Sequence, residues 1–212
     1  MQRILYWSVL GLLTLASCNK KEVLLTKSST TIDSIVVDYT PIYFFFEKKG
    51  NDTLINVNRK NTISTTNWVF HVDKRLPLIT AVNEIIRLQE KRENAVFHKN
   101  ENAINFFSYT DTTSKKLAFI PFKNIRYKVE KPDTTTTVKQ LYFDKKGNGF
   151  LNGLNLNHND LKKHFAHKND SIHTVLSFQK EISFGDYLAK WIEISTLNIN
   201  KSKNLETHYL VE

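Results

Sequence analysis

The chain has 212 residues, of which 41% are hydrophobic and 12% aromatic, with only 6 Gly, 4 Pro and a single Cys. This composition excludes disordered, collagen-like and linker classes, because enough apolar side chain is present to bury a core. One cysteine excludes an intramolecular disulfide and a zinc site built from several thiolates. The 30 basic residues exceed the 21 acidic ones, and the formal net charge of +9 predicts attraction to anionic surfaces.

The first eighteen residues have the pattern of a secretory signal. Met1-Gln2-Arg3 is short and basic, and the apolar run from Ile4 to Ala16 is too short for a stable membrane span. The run ends in Leu15-Ala16-Ser17-Cys18, which resembles the lipobox of bacterial lipoproteins. The resemblance implies cleavage after residue 17, acylation of Cys18 by palmitate-type chains, and a lipid anchor in the cell envelope. An ordinary signal peptide that is cleaved elsewhere is the alternative.

The residues after Cys18 bear on the destination. In Gram-negative lipoproteins an Asp at the next position favours the inner membrane, whereas Asn19 and Lys20 stand here. We therefore expect the outer membrane. Lys20-Lys21-Glu22 has only one acid of the acidic export signal found in Bacteroidetes lipoproteins, so the periplasmic face and the cell surface both remain open. Residues 18–33 are rich in Lys, Ser and Thr and are predicted to form a flexible tether.

A first unit is predicted over residues 34–130. Its strands are indicated by β-branched and aromatic residues at 34–37, 42–47, 53–58, 67–73, 106–109, 117–122 and 125–129. Lys48 to Asp52 has the composition of a hairpin turn. The spacing of Leu78, Val82 and Ile85 predicts a helix over 76–92.

A polar break at 131–137 separates a second unit over residues 138–212. Strands are predicted at 138–144, 150–154, 171–178 and 205–211, and helices at 160–166 and 184–194. Asn159 is the expected cap of the first of these helices. The predicted fold class is α+β, with a mostly antiparallel sheet and two or three helices, and two tandem small α+β units as one interpretation.

Two stretches of the chain echo each other. Residues 45–51 match residues 142–148 at an offset of 97, and residues 69–86 follow residues 175–192 at an offset of 106. An internal duplication would explain both offsets if the second copy carries a short insertion, of the 9 residues by which the offsets differ, near the predicted helix at 160–166. Chance similarity between common strand-turn-strand and strand-helix motifs is the alternative.

The second unit also resembles a known family. Its succession of strand, Lys-Gly turn, short strand, helix, strand, helix and strand is similar to the periplasmic domain of ExbD/TolR proteins. That succession is carried by residues 141–154, 160–165, 174–178, the helix that begins at Phe184-Gly185-Asp186, and the last strand. ExbD and TolR cross the inner membrane through a helix with an essential Asp, a feature that this sequence lacks. The resemblance therefore implies a module that docks envelope partners, without a proton-coupled role.

Histidines are the first candidates for chemistry. His158, His164, His167 and His173 cluster, and His164 and His167 share a helix face with Asp160, so these three are weak candidates for a divalent metal site. Three neighbouring lysines would repel a cation, which favours surface histidines on a basic helix. No nucleophile elbow, Walker loop or dinucleotide fingerprint is present, and the sequence indicates no catalytic residue and no cofactor.

These patterns favour a non-catalytic interaction or assembly module, held at the membrane by its acyl anchor. An envelope protein or an anionic envelope polymer is the expected partner, and the secretory signal argues against nucleic acid. The alternative is an envelope-polymer hydrolase that uses scattered carboxylates or histidines. An enzyme requires a concave pocket where titratable groups converge, whereas a module requires an exposed apolar or basic patch.

Overall fold

The computed structural model describes residues 21–59, 62–94, 100–122, 125–134, 138–166, 173–197 and 207–212. Within these ranges the chain forms twelve strands and three helices, arranged as two six-stranded sheets. The α+β class is confirmed. The sheets are mixed, whereas a mostly antiparallel sheet was predicted: six of the ten strand pairs in the described residues are parallel. Each of the two long helices crosses between strands that are parallel neighbours.

The first sheet is built around a helical crossover. Helix α1, Leu78–Glu93, joins two neighbouring parallel strands, and the strand order is β1-β5-β4-β2-β3, with β6 paired to β5. β3 and β6 pair antiparallel with β2 and β5. The strands are β1 Lys27–Ser28, β2 Tyr39–Lys49, β3 Asp52–Val57, β4 Asn67–Val72, β5 Asn105–Asp111 and β6 Leu117–Pro121.

The second sheet has the order β10-β9-β8-β11-β12-β7. Helix α2, His158–Ala166, precedes β11, and helix α3, Phe184–Thr196, joins β11 to β12. The strands are β7 Arg126–Lys128, β8 Val138–Phe143, β9 Gly149–Leu151, β10 Leu154–Leu156, β11 His173–Gln179 and β12 Thr207–Val211. β7 thus belongs to the second sheet, although it precedes the polar break.

The two sheets repeat one plan. In each, a hairpin is followed by a strand parallel to the first strand of that hairpin, then by a helix, then by another parallel strand. The second sheet differs by the insertion of β10 and α2 between its hairpin and the parallel strand. The hairpin turns also correspond, since Gly50 and Gly147 both adopt positive φ, 62° and 76°. These glycines occupy matching positions of the echo at offset 97, so the structure supports the duplication interpretation.

The two halves meet through reciprocal backbone hydrogen bonds. The N–H of Leu78, at the start of α1, donates to the Ile182 carbonyl at 2.8 Å, and the N–H of Phe184, at the start of α3, donates to the Leu76 carbonyl at 2.7 Å. The two bonds join equivalent residues of the two halves, because Leu78 and Phe184, like Leu76 and Ile182, are separated by the offset of 106. The next residues repeat the arrangement, with bonds of 3.0 Å from Ile79 to Lys180 and from Gly185 to Lys74.

These bonds satisfy helix N-terminal donors that have no partner inside their own helix. α1 begins after Pro77, whose side chain offers no cap, whereas the hydroxyl of Ser183 accepts from the Asp186 N–H at α3. Each helix therefore uses its N-terminus to hold the other half. Anions commonly bind at such positions, but here neighbouring carbonyls occupy them.

One hydrophobic core runs through both sheets. α1 buries Leu78, Val82 and Ile85 against the first sheet, and α3 buries Leu188 and Ile192 against the second. Phe184 connects the two layers, because its ring packs edge-on against Phe107 of β5 at 5.2 Å. The two halves therefore share one continuous hydrophobic core.

The N-terminal segment differs from its prediction. From Leu24 to Asp33 it is part of the fold, since Thr26 is buried and Asp33 pairs with Phe119. The tether prediction is thus wrong for residues 24–33. The predicted strand at 34–37 is absent, because this segment crosses the first sheet and only Val36 packs against it.

The cap of α2 also differs. The Asn157 side chain accepts from the Asp160 N–H at 3.0 Å, and the Asp160 carboxylate accepts from the Asn157 N–H at 3.3 Å. This reciprocal capping box places the cap two residues before Asn159.

Candidate functional site

The candidate site is the surface of the first sheet that points away from α1, which we call the outer face. Strand alternation defines it: Ile42 and Phe44 of β2 are fully buried on the helix side, so Tyr43, Phe45 and Glu47 point outward. Register extends the face across the sheet, since Leu54 lies opposite Glu47. The other outward residues are Tyr39, Pro41, Asn56, Val69, His71, Phe106, Ser108, Thr110, Leu117 and Phe119.

Exposed apolar side chains concentrate on this face. Tyr39, Leu54 and Leu117 are exposed on its strands. Ile35 and Val37 are 76% and 71% exposed and flank Val36, which packs on the outward residues of β4, β5 and β6. The exposed large hydrophobics elsewhere in the described residues are Leu24 at the end of the face, and Ile63, Val129 and Leu154 at separate places.

The second sheet lacks such a patch in its described part. Its outward aromatics, Tyr142, Phe150 and Tyr209, are only partly exposed, and Lys128 lies over the Tyr209 ring at 5.9 Å. The two sheets share a plan but not a surface. Exposed apolar residues are thus more concentrated on the outer face of the first sheet than on the described part of the second sheet.

A histidine lies beneath the centre of the face. His71 stacks on Tyr43 at 4.7 Å between ring centroids, and its Nδ1 is 2.8 Å from the Ser108 hydroxyl. Burial lowers the pKa of His71 to about 4, so the ring is neutral at physiological pH. Sequence reasoning missed this pair, because only the pairing of β4 with β5 brings the two residues together.

The pair has the elements of a nucleophile and its base, but not the accessibility. Ser108 is 1% exposed, so a substrate cannot reach its hydroxyl. Among the described residues no carboxylate hydrogen-bonds to His71 to orient it as a base. The contact is best understood as a buried hydrogen bond between neighbouring strands.

A cavity of about 300 Å³ lies at the end of the face, lined by Lys21, Glu22, Leu24, Phe45, Phe46, Glu47 and Arg75. Of its charged residues, Lys21, Glu47 and Arg75 are held in ion pairs. Lys21 Nζ is 2.6 Å from Glu47 Oε1, and this hydrogen bond is the main reason that the pKa of Glu47 lies below its usual value. The Arg75 guanidinium lies 4.4 Å over the Phe46 ring.

Asp73 fixes the N-terminal segment beside this cavity. Its side chain is fully buried, and it accepts two hydrogen bonds from the Arg75 guanidinium, at 2.9 and 2.7 Å, and one from the Leu24 N–H at 3.1 Å. Burial would raise the pKa of Asp73, but the hydrogen bonds from Arg75 and Leu24 outweigh it and lower the pKa. A carboxylate held in this way secures the chain and is a poor general base.

A second cavity, of about 280 Å³, lies at the C-terminal end of α1 and includes Gln89, Glu93, Asn100 and Glu101 in its lining. Arg92, on its wall, stacks on Trp68 at 4.6 Å and donates to Asn105 Oδ1 at 2.7 Å. Burial lowers the pKa of Arg92. Its guanidinium ties the helix to β4 and β5, which is a structural use of the charge.

A third group of polar side chains is buried in the second half. The Tyr187 hydroxyl lies 3.0 Å from the Tyr127 hydroxyl and 2.8 Å from His208 Nδ1, and burial raises the pKa of both tyrosines. By register, His208 occupies the place that Phe107 has in the first sheet. Because His208 is fully buried, this network contributes to the core and offers no surface to a ligand.

The predicted metal ligands are not brought together in the described part of the chain. Asp160 is engaged in the capping box of α2, the His164 side chain and His167 lie outside the described residues, and the described residues contain no group of three metal-ligating side chains. Cys18, the predicted acylation site, also lies outside them.

Comparisons place no further constraint on the site. Within the described residues no helix is both long and apolar enough to cross a membrane. Comparison of the chain with protein-family models, with curated proteins and with solved structures found no match.

Proposed function

We propose that the chain is a lipoprotein of the bacterial cell envelope, anchored through acylated Cys18 to the outer membrane, and that its folded part works by binding. The signal pattern and Leu15-Ala16-Ser17-Cys18 support the anchor. The net charge of +9 supports a site among anionic envelope components.

The observation that carries the binding role is the exposed apolar surface on the outer face. Ile35 and Val37 present most of their side chains to solvent near Tyr39, and Leu54 is exposed at the opposite end of the face, next to Glu47. Soluble monomeric domains seldom leave such residues adjacent unless they contact something. The binding role also agrees with the docking function implied by the ExbD/TolR resemblance.

The titratable groups favour binding over hydrolysis. His71 is buried under the face. Glu47 forms an ion pair with Lys21, and Asp73 forms one with Arg75. A hydrolase needs an acid and a base that reach the same substrate atom. In the first cavity Lys21 is bound to Glu47 and Arg75 is bound to Asp73, so these groups are engaged with each other and poorly placed for proton transfer to a substrate.

Mass spectrometry of the protein made in a Gram-negative host tests the anchor. We expect a chain that begins at Cys18 and carries acyl groups, and that fractionates with the outer membrane. Cys18→Ala should abolish acylation and processing, whereas the control Ser17→Ala keeps a small residue before the cysteine and should leave both intact. A mature chain with a free Cys18 thiol, or one that begins elsewhere, would overturn the proposal.

A further inference from the structure

We propose that the outer face of the first sheet rests on the lipid surface, so that the protein lies on its side against the membrane that anchors it. This inference rests on the proposed acylation of Cys18, and it names the lipid surface as the partner of the apolar patch.

The chain between the anchor and the fold is short. Lys21 is the third residue after Cys18, and three residues span at most about 11 Å when extended. The Lys21 side chain pairs with Glu47 on the outer face, and the Leu24 backbone is bonded to Asp73 and Lys74. The acyl chains must therefore enter the membrane next to this face.

The outer face is elongated, and the anchor lies at one of its ends. From Tyr39 to Glu47 the outward residues of β2 extend over about 26 Å. The anchor lies near the Glu47 end, and the exposed Ile35, Val37 and Tyr39 lie toward the other. A side-on orientation brings both ends to the membrane surface at once.

The side chains of the face and its border also suit a lipid surface. Aliphatic side chains partition into the boundary between headgroups and acyl chains, and tyrosine places its ring there with the hydroxyl in water. Lys48 and Lys49 are exposed at the end of β2, next to the hairpin turn, at the anchored end of the face. Cations near such a surface are attracted to phosphate-bearing headgroups. A protein partner or a second copy would match the apolar residues, but neither is brought to the face by the position of the anchor.

The test uses single introduced cysteines in the acylated protein. Because the chain has no other cysteine than Cys18, a polarity-sensitive fluorophore attaches only at the chosen site. We would label Ile35→Cys or Val37→Cys, with Leu154→Cys as the control, since Leu154 is 73% exposed and apolar but lies on the far edge of the second sheet. Each protein is reconstituted in phosphatidylethanolamine/phosphatidylglycerol vesicles that contain either lipid-chain quenchers or none.

We expect lipid-chain quenchers to reduce the emission at residues 35 and 37 at least about threefold more than at residue 154. Equal quenching at all three sites, or free access of aqueous iodide to residues 35 and 37, would overturn the proposal. Protection of these sites from both quenchers, with cross-linking to another chain, would also overturn it, because a protein then covers the face. Failure of the proposed anchor is distinguishable, since the unsubstituted chain would then be labelled at Cys18.

A second measurement removes the anchor. The chain from residue 18 with Cys18→Ser keeps every residue of the hydrophobic core, and its partition onto the same vesicles should fall roughly tenfold with Ile35→Ser and Val37→Ser together. Ile63→Ser with Leu154→Ser is the matched control, which changes two exposed apolar residues off the face and should leave partition unchanged. Equal effects of the two pairs would contradict a lipid-binding face.

Discussion

At the scale of single residues, His71 couples the outer face to pH. It is 8% exposed, it stacks on Tyr43, and burial lowers its pKa to about 4, from the usual histidine value of 6.5. Above pH 6.5 the ring is neutral in both folded and unfolded chains. As pH falls from 6.5 to 4 only the unfolded chain gains the proton, so the free energy of unfolding should fall by up to about 3 kcal/mol. Urea unfolding at pH 7.5 and pH 4.5 measures the difference.

His71→Gln is the control, because glutamine can still bond Ser108 but does not titrate. It should flatten the decline in stability between pH 6.5 and pH 4. The carboxylate of Asp111, whose pKa is lowered to about 2 by hydrogen bonds from Ser114 and Thr31, acts in a lower window. Its stabilisation is present above pH 3.8 and is lost as pH falls through 2. An unchanged pH profile in the glutamine variant would show that His71 is not the group responsible.

At the scale of elements, Gly185 at the start of α3 packs against Lys74, in the loop before α1, too closely for a side chain to fit at position 185. A Cβ at Gly185 would lie 2.8 Å from the Lys74 Cβ and 3.1 Å from the Lys74 carbonyl oxygen. Helix propensity alone predicts that Gly185→Ala stabilises the protein by about 1 kcal/mol. We expect the clash to dominate, because the neighbour is close to the backbone, and to lower the free energy of unfolding by about 1–3 kcal/mol. Chemical denaturation decides between the two signs.

A double-mutant cycle with Lys74→Gly isolates the cause. Removing the Lys74 side chain relieves the closer of the two contacts, so the double variant should lose less stability than the two single variants together. Strict additivity would mean that Gly185→Ala acts through its own helix and not through the contact between halves.

The elements themselves were largely predictable from sequence. The apolar spacing of Leu78, Val82 and Ile85 predicted α1 within two residues of its observed bounds, because that spacing is the stripe that packs on the sheet. The β-branched run Ile35-Val36-Val37 was misleading, since strand propensity needs a neighbouring strand and only Val36 is covered. Asn157 caps α2 in place of the predicted Asn159, because Asp160 lies three residues after Asn157, where its carboxylate can accept from the N–H of the capping residue.

The candidate site was harder to predict than the elements. β2 contains the continuous apolar run Ile42 to Phe46. Because apolar and polar residues do not alternate in this run, the sequence does not indicate which face of the strand is buried. Which face remains open depends on where α1 packs, and the pairing of His71 with Ser108 depends on strand register. The echo at offset 106 indicated equivalent helices, but no residue pattern revealed that their N-termini bond to each other's loops.

At the scale of the whole molecule, the shared core predicts that the two halves unfold together. Trp68 lies in β4 of the first sheet and Trp191 in α3 of the second half, so each half contains its own fluorescent probe. In the chain from residue 18, Trp68→Phe leaves a probe of the second half and Trp191→Phe a probe of the first. Since one hydrophobic cluster spans both, the two variants should each show a single transition of matching shape.

Phe184→Ala makes this test decisive. The ring contacts Tyr187 within its own half and Phe107 across the contact, and its removal should cost about 3–5 kcal/mol. If the halves are one cooperative unit, the loss lowers the midpoints reported by Trp68 and Trp191 by the same amount. If Trp191 alone reported the loss, each repeat would be stable by itself, and the reciprocal bonds between helix starts would be a docking contact. Shared cooperativity would instead mean that a membrane-bound first sheet also holds the second half in a fixed orientation above the lipid.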